Sequence, residues 1–219
     1  MNIKIFVCMA ACAAALATIA GCQTARPSYD YSNYRVHPPR SILVLPPLNE
    51  STAVEGTYGY LSTVTEPLAE LGYYVFPVAV VDQFLKENGM PTAGEMQQVS
   101  LAKVAQITGA DAVLYITLKQ YGSKFQVINS TTTVEATARL VDTRTGVQLW
   151  DGRGYAQQNA SNGSGGILGS IVAAAVNQAI SSKTDRAHKV SRAANVSLFR
   201  TEGIALPEGP YNPEYGKIQ

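Results

Sequence analysis

The sequence predicts a mixed α/β domain of the α+β kind: a βαβ-like start, then an antiparallel meander, with helices packed on the sheet. Three observations predict it. Four consecutive aliphatics, Ile42-Leu43-Val44-Leu45, run into Pro46-Pro47 and are followed by stretches with helical spacing of apolar residues. Beyond Gly109 the apolar period falls to two and holds toward Tyr155, interrupted only by turn-forming residues. Helices and strands that alternate early and give way to strands alone describe helices laid on one mixed sheet.

The first strand is an unbroken aliphatic run, so it reads as buried on both faces, and it stops where proline cannot donate to a ladder. Leu61, Val64, Leu68 and Leu71 then share one helical face that ends near Gly72. Pro67 interrupts that face, leaving either a kinked helix or a shorter one capped by Thr65 with Pro67 in its first turn. Tyr73-Tyr74-Val75-Phe76 reads as a second strand. Pro77 opens a helix carrying Val78, Val81, Phe84 and Leu85, and Asn88-Gly89 closes it. Thr92 and Glu95 have capping-box spacing, and Leu101, Val104 and Ala105 give the next helix its stripe before Gly109.

Residues 111–119 are the strongest strand candidate, and 124–128 a shorter one. Residues 131–141 alternate cleanly, with Val134, Ala136, Ala138 and Leu140 on one side and Thr133, Glu135, Thr137 and Arg139 on the other. One face is therefore buried and one wet. Asp142 to Gly146 makes a turn, and the chain returns as a strand toward Tyr155. Residues 159–166 are loop by composition. Residues 167–180 are almost wholly apolar or small, and helical tendency continues through 189–199.

The amino-terminal stretch fixes location. Lys4, an apolar run over residues 5–19, and Ala20-Gly21-Cys22 form a secretory signal ending in a lipobox. A membrane-spanning helix is the rival reading, but the run falls short of the about twenty residues that spanning needs. The expected organisation is a signal peptide at 1–21, a lipidated tether at 22–40, a single domain at 41–202 and an irregular Pro/Tyr tail at 203–219. The chain carries 17 Lys plus Arg against 16 Asp plus Glu, and Lys4 leaves with the signal. That balance, without a basic cluster, argues against a nucleic-acid partner. Cys8 and Cys12 also leave with the signal, so lipidation of Cys22 would remove the last free thiol.

Three pieces in this order carry a resemblance: residues 41–47, residues 109–117 and residues 138–150, the last reading Ala-Arg-Leu-Val-Asp-Thr-Arg-Thr-Gly-Val-Gln-Leu-Trp. Together they are similar to the amino-terminal domain of TolB and to the periplasmic domain of the curli-secretion lipoprotein CsgG. With the lipobox in front and Leu206-Pro-Glu-Gly-Pro210 behind, the chain most resembles a family of outer-membrane lipoproteins known for a meningococcal vaccine candidate. The likeness implies a non-enzymatic envelope component of a transport or assembly system. It also implies a diacylglycerol and an N-acyl chain on Cys22, with no other cofactor. By the sorting rule of such lipoproteins, Gln23 in place of Asp directs the chain to the outer membrane, with the domain periplasmic or surface-exposed.

The search for reaction chemistry finds little. His37 and His188 have no partner at ligand spacing, the glycines at 163–166 lack a following Lys-Ser/Thr, and no Gly-x-Ser-x-Gly is present. One stretch asks for a partner. Small residues Gly165, Gly169 and Ala173 recur at intervals of four, and with Ile171 and Val176 they make a candidate interface for a second copy or another envelope protein. The bland alternative is a core helix flat on the sheet. The function expected first is a lipid-anchored binding or scaffold protein. A secretion-channel subunit ranks second, since residues 119–141 are its only room for a barrel hairpin, and an envelope hydrolase ranks last.

Overall fold

The computed structural model describes residues 29–125, 130–159 and 183–216. A short helix α1 (Ser32–Val36) precedes β1 (Ser41–Val44) and β2 (Leu48–Asn49). Then come α2 (Gly56–Glu70), β3 (Tyr74–Val75), α3 (Val78–Glu87), α4 (Ala93–Met96) and α5 (Leu101–Thr108). Three long strands, β4 (Ala112–Phe125), β5 (Ser130–Asp142) and β6 (Gln148–Asn159), lead to α6 (Lys183–Arg200). The sheet runs β3-β1-β4-β5-β6, with β2 continuing beside β4 beyond β1. β1 lies parallel to both β3 and β4, whereas β4, β5 and β6 are antiparallel, so the expected mixed α+β order is the observed one.

β1 is buried on both faces because it sits between β3 and β4 with helices above and below. Ile42 and Val44 join the core under α2 and α6, and Leu43 and Leu45 join the core under α3 and α5. β5 alternates as its sequence does, with Val134, Ala136, Ala138 and Leu140 turned into the first of these cores. β4 is longer than its strongest segment suggested: it continues to Phe125 through an irregularity between Leu118 and Gln120.

Three local expectations need correction. α2 is one helix from Gly56 to Glu70, so Thr65 caps nothing and Pro67 lies in the last turn, buried in the core. The Thr92–Glu95 capping box is formed, but it starts the four-residue α4; α5 begins at its own cap, Ser100. The largest correction concerns the tether. From Tyr29 onward those residues fold with the domain: Tyr34 is buried, and its hydroxyl lies 2.6 Å from that of Tyr73. Tyr73 in turn donates to the carbonyl of Pro207 at 2.6 Å, so Tyr34 donates to Tyr73, and burial pushes the Tyr34 phenol up to about 12.

The tail has neither helix nor strand over 203–216, yet it is fastened across the domain. Leu206 bonds back to Phe199, while the amides of Gly209 and Tyr211 donate to the carbonyls of Leu71 and Gly72. Aliphatics are too few in both segments to signal this packing. Tyrosines do it instead, pairing large buried rings with hydroxyls that reach backbone carbonyls.

α6 comes unusually near the sheet at β6. A Cβ on Gly154 would stand 2.3 Å from the Ala194 carbonyl and 2.7 Å from the Leu198 Cβ. One on Gly152 would strike the Trp150 ring, which packs on Phe199 at 5.8 Å and donates its indole N–H to the Ile204 carbonyl. Gly154→Ala is therefore expected to lose about 1–3 kcal/mol through overpacking. Gly94→Ala, where the nearest atom would be 3.9 Å away, should be neutral or gain up to about 1 kcal/mol, and denaturant titration separates the two. The hydroxyl of Tyr60 is fully buried without a hydrogen-bond partner. Tyr60→Phe should then raise stability by about 1 kcal/mol in the same titration, since it removes an unsatisfied polar group.

Candidate functional site

The helices cover the sheet unequally. α2 and α6 lie across one face, and on the other α3, α4 and α5 reach only as far as Val113, Tyr115 and Val141. The remainder of that second face, on β4, β5 and β6, is a polar surface. Gln97 marks the border, its side-chain amide donating to the carbonyls of Pro46 and Ile116 at 2.9 and 3.0 Å.

The register sets this face in rows. In the first, Tyr115, Arg139 and Asp151 lie side by side, and the Arg139 guanidinium stands 4.4 Å from the centre of the Tyr115 ring. Asp151 accepts from the Tyr29 hydroxyl at 2.8 Å and from the Gln148 amide at 3.0 Å. Burial, then the bond to this carboxylate, raises the Tyr29 phenol well above its ordinary range. Thr117, Thr137 and Arg153 form the second row, and Gln120, Glu135 and Tyr155 the third. Glu135 ties these two together, accepting from Arg153 at 2.6 Å and from Gln120 at 3.2 Å. With Arg153 two-thirds exposed, such a pair contributes at most about 1 kcal/mol and orients side chains more than it stabilises the fold.

At one end of this face the β5–β6 turn is held by Asp142. Its Oδ1 accepts from the amides of Arg144 and Thr145 and from the Thr145 hydroxyl, at 3.1, 2.6 and 2.7 Å. Gly146, at φ 72°, supplies the left-handed step that completes the turn. Beside it, Nδ1 of His37 meets the Arg144 guanidinium at 3.2 Å.

A second concavity lies at the opposite edge. Between α3 and α5, over the Leu43 and Leu45 floor, is a cavity of about 340 Å3, walled by Phe76, Val80, Phe84 and Ile107 among others. Val80 and Ile107 stand off the buried stripes of their helices and are 65% and 48% exposed. Those off-stripe aliphatics were the only sequence signal for it.

Among the described residues no group of three or more His, Cys, Asp or Glu could hold a metal ion. None of their helices is long and apolar enough to cross a membrane. Cys22 and the candidate interface residues Gly165, Gly169, Ile171, Ala173 and Val176 lie outside the described residues. Arg139, Glu135 and Thr137 were legible as the wet side of a strand, but their union with Tyr115 and Arg153 needed the register.

Residues 29–211 match the family described as "Putative lipoprotein GNA1162-like". The chain belongs to the GNA1162-like lipoprotein family. Its relative "Putative lipoprotein NMB1124/NMB1162" of Neisseria meningitidis serogroup B is 46% identical over 187 residues, which cover 85% of this chain and 87% of the relative. The crystal structure of lipoprotein GNA1162 from Neisseria meningitidis matches with a TM-score of 0.54 at 51% identity, over 57% of this chain and 88% of that one. The resemblance to the meningococcal lipoprotein family is thus borne out. The GNA1162-like match begins at Tyr29 and runs to Tyr211, so it takes in both α1 and the crossing of the tail.

Burial would push the Asp142 carboxyl up, but the hydrogen bonds from Thr145 and the nearby His37 and Arg144 more than offset it, and the group sits below its ordinary value of 3.8. A carboxyl depressed on folding stabilises above its unfolded pKa, and that contribution disappears as pH falls through the folded value. Asp142→Asn is therefore expected to be less stable than the parent at pH 7. The deficit should shrink once pH drops below about 3.9, as thermal unfolding across pH would record.

Proposed function

We propose that this GNA1162-like chain is a lipid-anchored protein of the bacterial envelope that acts by binding other envelope proteins, as a non-enzymatic component of an outer-membrane transport or assembly system. The diacylglycerol and N-acyl chain on Cys22 hold it on the membrane. Two or three acyl chains make such attachment effectively permanent, each buried methylene adding about 0.8 kcal/mol. Gln23 after the cysteine favours the outer membrane, with the domain on the periplasmic side.

The observation that carries the reading is the face of β4, β5 and β6 that no helix among the described residues covers. A sheet whose other surfaces are packed under helices keeps here an ordered polar patch centred on Tyr115, Arg139 and Arg153. Tyrosine and arginine are the side chains that protein interfaces favour, because each offers large contact area together with hydrogen bonding. The secretion-channel alternative fits less well. The apolar side of the β4–β5 pair is already committed to the domain's own core, through Leu118, Val134 and Ala136.

Two measurements test the proposal. Cys22→Ser should abolish palmitate labelling and move the protein from the outer-membrane to the soluble periplasmic fraction; unchanged fractionation would remove the anchor from the account. A photo-crosslinking residue at Thr137 should capture a defined envelope protein in intact cells, and Arg139→Glu should abolish that capture. The same probe at Glu66 on α2 should not. Equal capture from both positions, or none at Thr137, would refute the docking face.

A further inference from the structure

We infer that the cavity between α3 and α5 is a binding site for a single aliphatic chain with an anionic head, of the medium-chain carboxylate class. Its volume, about 340 Å3, lies at the lower end of small-molecule sites, enough for one chain and too little for a bulky ring system. The walls are Leu43, Leu45, Phe76, Val81, Phe84 and Val104, with further aliphatics toward the mouth. The polar residues on the lining are few and partly committed. The Asn88 amide donates to the Phe84 carbonyl, and the Thr108 hydroxyl donates to the Val104 carbonyl and accepts from the Ala110 amide. The interior therefore selects hydrocarbon, and a buried charge there would be severely penalised.

The head group is chosen by Lys103. Among the described residues it is the one ionisable residue on the lining, it is exposed, and none of their carboxylates lines the cavity beside it. The neighbouring cation on α3, Lys86, is already paired with Asp82 at 2.7 Å, while Lys103 has no ion-pair partner among the described residues. A lysine of this kind lays its methylenes along an apolar wall and keeps its ammonium in water. An anionic head emerging from the cavity would meet that ammonium at the rim while its chain stayed below. A cationic or acid-free polar ligand finds no counterpart there. Val80 and Ile107, 65% and 48% exposed, would be covered by the upper part of the chain.

The test uses the full chain carrying Cys22→Ser, purified without detergent, and titrates decanoate and decyltrimethylammonium below their micelle concentrations by calorimetry. One decanoate per chain should bind, with at least tenfold preference over the cation. Lys103→Glu should weaken decanoate at least tenfold and strengthen the cationic amphiphile. Val80→Asp, at an exposed position, should weaken decanoate tenfold or more while leaving the melting temperature within a few degrees. No saturable decanoate binding would overturn the site. Binding that ignores Lys103→Glu would overturn the anionic head, and binding that ignores Val80→Asp would place the chain elsewhere. Decanoyl lysophosphatidylglycerol in a parallel titration separates a free carboxylate from a lipid source: tighter binding of the lysolipid would overturn the carboxylate assignment.

Discussion

One oxygen of the Asp111 carboxylate accepts hydrogen bonds from the amides of Arg40 and Ser41 and from the Ser41 hydroxyl, each at 3.0 Å, and so fixes where β1 begins against β4. The Asp111 amide returns a bond to the Ser41 hydroxyl oxygen, and its carbonyl accepts from the amide and hydroxyl of Thr143. Three chain segments distant in sequence are thereby tied at one end of the sheet. The constraint matters because a strand buried on both faces has no wet side to set its register. A slip of one residue would exchange Ile42 and Val44 with Leu43 and Leu45 between two differently shaped cores. With β1 fixed, both parallel pairings follow, and β4 is aligned to begin the meander.

Much of this was legible in the sequence because it rests on local rules. Residues 111–119 were readable as a strand, and Gly109, where the sequence stops the preceding helix, closes α5 in the left-handed conformation. The two-residue period of β5 foretold which side chains are buried, since one face of that strand is wet. What escaped has a common physical character: it depends on partners far along the chain. Tyr34, Tyr73 and Pro207 make a relay across three segments, none of which has a period of its own. Pro67 was ambiguous because a proline in the last turn of one helix and one in the first turn of another leave the same local pattern. The open face was half legible, as polar alternation, but Arg139 over Tyr115 required the pairing of β4 with β5.

The unequal covering of the sheet divides the domain by chemistry. On the side of α2 and α6 the contacts are close enough that a Cβ at Gly152 or Gly154 would clash, as in a densely packed interior. On the other side the covering helices are short, α4 being a single turn, and they leave two unlike surfaces separated by the Gln97 border. One is an array of charged and aromatic side chains, the other an apolar hollow. The two binding surfaces proposed for this chain both lie where, among the described residues, helices are missing or short.

The folding of residues 29–40 onto the domain has a mechanical consequence. A free tether over residues 22–40 would have eighteen steps and could stretch about 60 Å; with the chain fastened at Tyr29, only the seven steps from Cys22 remain, at most about 25 Å in any conformation. On the proposed anchoring, the β6 edge, where Tyr29 is held, would be kept close to the bilayer, and the domain could pivot about it but not roam. Whatever it meets farther off must come to it, which suits a protein that waits at the membrane for larger partners to arrive.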